Sequence, residues 1–173
     1  MSNDNKKVAI AAYEALTGLK LEKTGDKQEF IHLGIMDNAN FDGCPEWFGC
    51  TPDSVTKEFV NGVFGNTHYI DVYKNIPREF KTPSSGVVFD RYRKLKTPFD
   101  LKKENALYYW QVIAQMLCCD APYAQWIAYD CDIKSDNPAD KFVIIDFERD
   151  MAVEQVLLNS RCKAVLYVVE GGE

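Results

Sequence analysis

The sequence predicts an α/β or α+β domain in which a β-sheet is flanked by helices. Three observations carry this: an amphipathic opening segment, alternating and β-branched stretches through the chain, and two long runs of helix formers, one of which separates two groups of strands. With 173 residues, 46% of them hydrophobic, the chain can fill one core but not two, so one domain over residues 1–173 is expected.

Taken in order, "KVAIAAYEALTG" has apolar residues at helical spacing and ends at Thr17-Gly18, where glycine suits a C-cap. "KQEFIHLGIM" and "EWFGCTPDSVTKEFV" alternate as strands do, and "MDNANFDGCP" between them is rich in turn residues. "NGVFGN" reads as a hairpin connection into a strand "THYIDVYKN", and after a short turn "IPREFKTP" is a further strand. From Asp100, "DLKKENALYYWQVIAQMLCC" combines an acidic start with the helical period, so one helix runs to the stop "DAP". "YAQWIAYDCDI" and "DKFVIIDF" are strands joined by the polar loop "KSDNPA". "RDMAVEQVLLNSRCKAVLYVVEGG" closes the order as a helix stopping at Gly171-Gly172. No repeat, low-complexity tract or linker interrupts it.

The net charge of −6 gives no global attraction to nucleic acid or anionic membrane, so a polyanion partner requires a local basic patch. No apolar run is long enough to cross a bilayer and "MSNDNKK" lacks a signal-peptide core, so a cytosolic protein is expected. Cys44, Cys50, Cys118, Cys119, Cys131 and Cys162 contain no C-x-x-C pair, which argues for reduced, structural thiols over a zinc or iron–sulfur site. His32 and His68 are read as structural, and neither a Ser/His/Asp set nor a glycine-rich phosphate loop is present.

The chemistry sits in "REFKTPSS". Strand alternation projects Glu79 and Lys81 to one face and Phe80 to the other. An acid-x-Lys pair alone is weak, because Asp4/Lys6, Asp100/Lys102 and Asp132/Lys134 share it and each reads equally well as a solvated ion pair. Upstream, "CTPDSV" puts Asp53 after a proline at a bend, from which it can converge with Glu79. Two carboxylates and the Phe80 carbonyl make the oxygen-rich site that Mg²⁺ prefers, and Mn²⁺ can substitute. Lys81 beside them can orient water or offset charge on phosphorus, which describes phosphodiester hydrolysis.

At these residues the chain resembles the lambda-type phage exonucleases, or YqaJ-like viral recombinases, of the PD-(D/E)xK nuclease superfamily. "AAYEALTG" is similar to the family's "Y-E-x-x-T-G" helix end, "TPDSV" to "S-P-D-G-L", "EFKTP" to "E-[IL]-K-C-P", and "LYYWQVIAQML" to the helix "Y-x-x-Q-x-Q", with "QWIAYD" as the following strand. The resemblance implies a restriction-endonuclease-like core with a central mixed sheet. It makes Asp53 and Glu79 metal ligands with the Phe80 carbonyl, and Lys81 the catalytic lysine. Gln111 and Tyr108 line the site near the scissile phosphate. For Tyr108, core packing is the competing reading, whereas Gln111 on the apolar side of a helix needs partners. Gln115 is read as surface or helix contact.

Between the lysine strand and the glutamine helix, "FDRYRKLKTPFDLKK" carries Arg91, Arg93, Lys94, Lys96, Lys102 and Lys103, a candidate DNA-binding patch or else a solvated face. The interleaved Phe89, Tyr92 and Phe99 either stack on frayed bases or anchor the loop. The resemblance implies a Mg²⁺-dependent 5′ to 3′ exonuclease acting on double-stranded DNA ends, phage- or prophage-encoded and working in the bacterial cytoplasm. It further implies a ring-shaped homotrimer and a phage single-strand annealing protein as partner. Rival readings are a catalytically weak DNA-binding or assembly subunit with the same fold, and a restriction or repair endonuclease. The chain departs from the family in beginning almost at the first helix, in Lys6 where that helix carries a metal-binding glutamate, in Ser54 for glycine, and in a longer stretch between Asp53 and Glu79. Lys6 cannot ligate, so one metal ion is expected.

Overall fold

Helices and strands follow one another much as the sequence orders them, in a computed structural model that describes residues 3–22, 30–32, 49–64 and 68–169. Helix α1 (Asn3–Thr17) leads to short strands β1 (Ile31–His32) and β2 (Gly49–Cys50), then to the long strands β3 (Ser54–Phe64) and β4 (His68–Lys81). Helices α2 (Gly86–Tyr92), α3 (Pro98–Glu104) and α4 (Ala106–Cys119) follow, then β5 (Tyr123–Tyr129), β6 (Phe142–Glu148) and α5 (Met151–Val169). Strands β3-β4-β5-β6 form a mixed sheet: β4 is antiparallel to β3 and parallel to β5, and β6 is antiparallel to β5. A parallel step needs a crossover, and α2 to α4 supply it. β1 and β2 pair separately.

Strand alternation divides the core between the two sheet faces. Ala124, Trp126 and Ala128 of β5 pack with Val112, Ile113 and Met116 of α4, and with Phe89, Leu101, Ile145 and Phe147. On the opposite face, Phe80 and Ile127 pack with Ala9, Ile10 and Tyr13 of α1. The Tyr13 and Phe80 rings meet edge to face at 5.6 Å, a favoured aromatic geometry. The sheet is thus held between α1 and α4, and the end of β4 lies between them.

Several boundaries differ from the sequence reading. Residues 67–83, read as two strands joined by a turn, contain a single 14-residue strand over His68–Lys81. Pro77 is tolerated inside it because its partner Val55 exchanges both backbone bonds with Glu22, at 2.7 and 2.9 Å. The Pro77–Val55 pair is therefore one that needs no rung from the missing N–H. "NGVFGN" belongs to β3 as far as Phe64, and its end lies outside the described residues. Segment 100–119 is two helices, because Asn105 is extended (φ −152°, ψ 94°) and caps α4 by accepting from Tyr108 N at 3.2 Å. The basic stretch has acquired helices α2 and α3, the latter opened by a Thr97/Asp100 capping box with Pro98 in its first turn. β5 stops at Tyr129, and "KSDNPA" runs into a 3₁₀ turn at Pro138–Lys141. Most of "KQEFIHLGIM", all of "MDNANFDGCP", the first residues of "EWFGC" and the Gly171-Gly172 stop lie outside the described residues.

Candidate active site

Alternation along β4 turns Glu79 and Lys81 toward α4, while Phe80 faces α1 and is fully buried there. On α4, Tyr108, Gln111 and Gln115 stand at i, i+3 and i+7, one stripe of the helix, and all three reach the strand. Glu79 is 1% exposed. Its Oε1 accepts from Lys81 Nζ at 2.5 Å and from Gln111 Nε2 at 2.8 Å, and its Oε2 from Gln115 Nε2 at 2.6 Å. Gln111 Oε1 in turn accepts from Lys81 Nζ at 3.1 Å. The same ammonium lies 4.5 Å above the Tyr108 ring, a cation–π contact that fixes its direction.

Asp53 lies just before β3 and reaches the end of β4. Its Oδ2 accepts the Phe80 backbone N–H at 2.9 Å, and its Oδ1 is 2.5 Å from Lys6 Nζ of α1. Burial pushes the Glu79 carboxyl above its usual range and the Asp53 charge adds to this, against opposing pulls from Lys81 and Gln115. The Asp53 charge thus disfavours ionisation of Glu79, a condition that a cation relieves.

The structure brings Asp53, Glu79, Phe80, Lys81, Tyr108 and Gln111 together at one end of β4. It corrects Gln115, read as surface or helix contact: the residue is 1% exposed and its amide is bonded to Glu79, with its Oε1 left unpartnered. Its spacing of four from Gln111 was the signal available in the sequence. Lys6, noted as a departure, is a direct partner of Asp53.

The basic stretch runs along α2, the turn that follows it and α3, and its basic residues are exposed except for half-buried Lys102. Arg91 pairs with Glu104 at 3.4 Å and Arg93 with Asp90 at 3.9 Å. Lys96 Nζ donates to the Arg93 carbonyl, and Lys94 is exposed. Lys102 lies over the Tyr109 and Trp110 rings and Lys103 over Phe99. Phe89 and Tyr92 are core residues, whereas Phe99 is 61% exposed.

A second polar cluster aligns the strands. Buried Arg78 donates to Thr56, Glu58 and Gln125, and Tyr13 OH donates to Gln125 Oε1 at 2.5 Å. Glu58 pays a burial penalty, yet bonds from Thr56, Tyr123 and Arg78 hold its carboxyl below the usual range. Sequence reading missed this cluster, whose members lie on four separate elements. It joins α1, and so Lys6, to the sheet.

The donor set suits a hard divalent cation, because Asp53 and Glu79 offer carboxylate oxygens; in this structure Lys6 and Lys81 are paired with them. Among the described residues no helix is long and apolar enough to cross a membrane, and Cys50, Cys118, Cys119 and Cys131 are free thiols.

No protein-family model matches the chain, and no curated protein matches it in sequence. Among solved structures, an alkaline exonuclease (LHK-Exo) from Laribacter hongkongensis matches with a TM-score of 0.60 and 18% identity, over 96% of this chain and 66% of its own. LHK-Exo in complex with dAMP matches with a TM-score of 0.58 and 17% identity, over 98% of this chain and 70% of its own. The chain thus spans about two thirds of these neighbours. The chain shares its fold with this alkaline exonuclease.

Proposed function

We propose that this protein is a metal-dependent deoxyribonuclease, acting as a 5′ to 3′ exonuclease on double-stranded DNA ends. The observation that carries this is the buried Glu79 carboxylate, tied to Lys81, Gln111 and Gln115 and standing beside Asp53. A structural ion pair has no use for a second acid that raises the cost of ionising the first, whereas a cation site does.

Asp53, Glu79 and the Phe80 carbonyl are the groups that would hold Mg²⁺, or Mn²⁺ in its place. When bound, the ion would polarise the phosphodiester and lower the pKa of water. Lys81 is the group that orients the attacking water and offsets charge on phosphorus. Gln111 supports it by accepting from its ammonium and donating to Glu79, so that one amide fixes the lysine and the acid relative to each other. Tyr108 supports it from beneath. The exposed basic surface of α2 and α3 is the DNA contact. End resection for recombination, with an annealing protein receiving the single strand, is the corresponding role.

Incubation with Mg²⁺ and end-labelled linear duplex tests the reading. Release of mononucleotides from 5′-phosphorylated ends, with covalently closed circles left intact, is the expected result. Cutting of closed circles would assign an endonuclease.

A second reading has its own observation. Lys6 engages Asp53 Oδ1, one of the oxygens a cation would need, as befits a DNA-binding subunit of weak activity. DNA binding without cleavage in either Mg²⁺ or Mn²⁺ would favour it. On the primary reading the site holds one ion. Crystals grown with Mn²⁺ decide this, because two anomalous peaks about 4 Å apart would mark a two-metal clamp.

A further inference from the structure

One residue beyond Lys81, β4 runs into a cavity of about 190 Å³ bounded by Asn5 and Val8 of α1, by Thr82 and Ser84, and by Asp130, Cys131 and Asp132 after β5. The carboxylates of Asp130 and Asp132 and the Cys131 thiol offer three ligand atoms, all within 4.8 Å of one another. Asp130 is 9% exposed, and its Oδ1 accepts the Asp132 N–H at 2.9 Å. Cys131 Sγ is 3.7 Å from Asp132 Oδ1. Three adjacent polar residues alone would be an ordinary acidic turn. The independent observation is Thr82, on another element: it lines the same cavity, is 8% exposed, and its Oγ1 has no protein partner. A buried hydroxyl without a partner is costly to keep, and a cation is a partner for its oxygen. An anion is disfavoured, because both carboxylates face this space. The Lys141 ammonium donates to the Cys131 carbonyl at 3.5 Å.

We propose that Asp130, Cys131 and Asp132, with the Thr82 hydroxyl, form a second cation site, separate from the Asp53/Glu79 pair and selective for a transition ion such as Zn²⁺ or Co²⁺. The mixed set decides the class: carboxylate and hydroxyl oxygens accept many divalent ions, but a thiolate ligand selects against Mg²⁺. Binding releases the Cys131 thiol proton to solvent. The ion ties the end of β4 to the end of β5, immediately beyond Lys81. Cysteine spacing in the sequence does not reveal such a site, because only one of its ligands is a cysteine.

Titration of the full chain with Co²⁺ tests this, since a thiolate ligand gives a charge-transfer absorption that oxygen ligands do not. One Co²⁺ with that band is expected. Cys131→Ser loses the band, while Cys50→Ser, at a thiol in contact with Cys118 and Cys119 at the end of α4, keeps it. Asp132→Asn, at an exposed position where folding is not at stake, and Thr82→Val each weaken Co²⁺ binding by about tenfold or more. Far-ultraviolet circular dichroism checks that each variant is folded. A band that survives in Cys131→Ser, a band that disappears in Cys50→Ser, or no band at millimolar Co²⁺ would overturn the proposal.

Discussion

Glu79 is the residue on which the site turns, and its surroundings decide which substitutions are informative. Lys81→Ala and Glu79→Gln should each abolish cleavage of linear duplex while the circular dichroism spectrum is retained; full activity in either variant removes the site assignment. Glu79→Ala is a poorer choice, because it strips partners from Lys81, Gln111 and Gln115 at once, and each orphaned buried polar group costs about 1–3 kcal/mol. Relief of repulsion with Asp53 is the opposing effect, and the loss of three hydrogen bonds outweighs it. The raised Glu79 pKa also fixes a sign. The folded state holds the Glu79 proton more tightly than the unfolded chain does, so this group's contribution is full below about pH 4.3 and falls as pH rises through the raised value. The melting temperature of the wild type relative to Glu79→Gln should therefore decline across that window, and a difference that rises with pH would contradict it. Asp53, Glu79, Lys81 and Gln111 were legible in the sequence because strand alternation and an ordered series of motifs point to them. Gln115 was not, because a glutamine one turn further along a helix has the same local signature whether it faces solvent or a carboxylate.

At the scale of elements, Asn105 and Pro77 show where one-dimensional patterns run out. The helical period continues unbroken from α3 into α4, so periodicity reports one helix. The break is visible only in the Asn105 dihedrals and in its bond to Tyr108 N. Asn105→Ala should lower stability by about 1 kcal/mol, as removal of an N-cap does, and Asn105→Ser should recover most of it. Urea midpoints at constant slope measure both. The cap lies three residues before Tyr108, so the alanine variant should also loosen the ring beneath Lys81 and reduce turnover more than DNA affinity. Over residues 67–83 the pattern misleads in the opposite direction: it reads as two strands where a single one runs through Pro77, and a proline fits there only because of how its neighbours pair. The sheet order itself was legible only as a class of fold, because strand neighbours are set by packing across both faces.

For the whole molecule, the basic surface predicts how DNA affinity responds to salt. Replacing Arg91, Arg93 and Lys94 with alanine should weaken binding and flatten the log–log salt slope by about one unit for each phosphate that is no longer neutralised. The existing pairs of Arg91 with Glu104 and Arg93 with Asp90 are no obstacle, because exposed ion pairs are worth at most about 1 kcal/mol. Turnover at saturating DNA should change little, and an unaltered slope would make the surface a solvated face. A closed ring of three copies, the assembly we propose, requires a trimeric mass in light scattering at micromolar concentration. The Lys6–Asp53 and Lys81–Glu79 pairs also bear on how the protein lives without its substrate. Two acids matched by two tethered ammoniums give a fold that carries its own counter-ions. Such a chain can mature where free magnesium is scarce, and the arriving ion finds a finished scaffold. Wild-type melting should accordingly rise less on addition of magnesium than that of Lys6→Ala. Lys6→Ala should melt lower without magnesium and recover as the ion is added, by the mass action of a ligand that binds only the folded state.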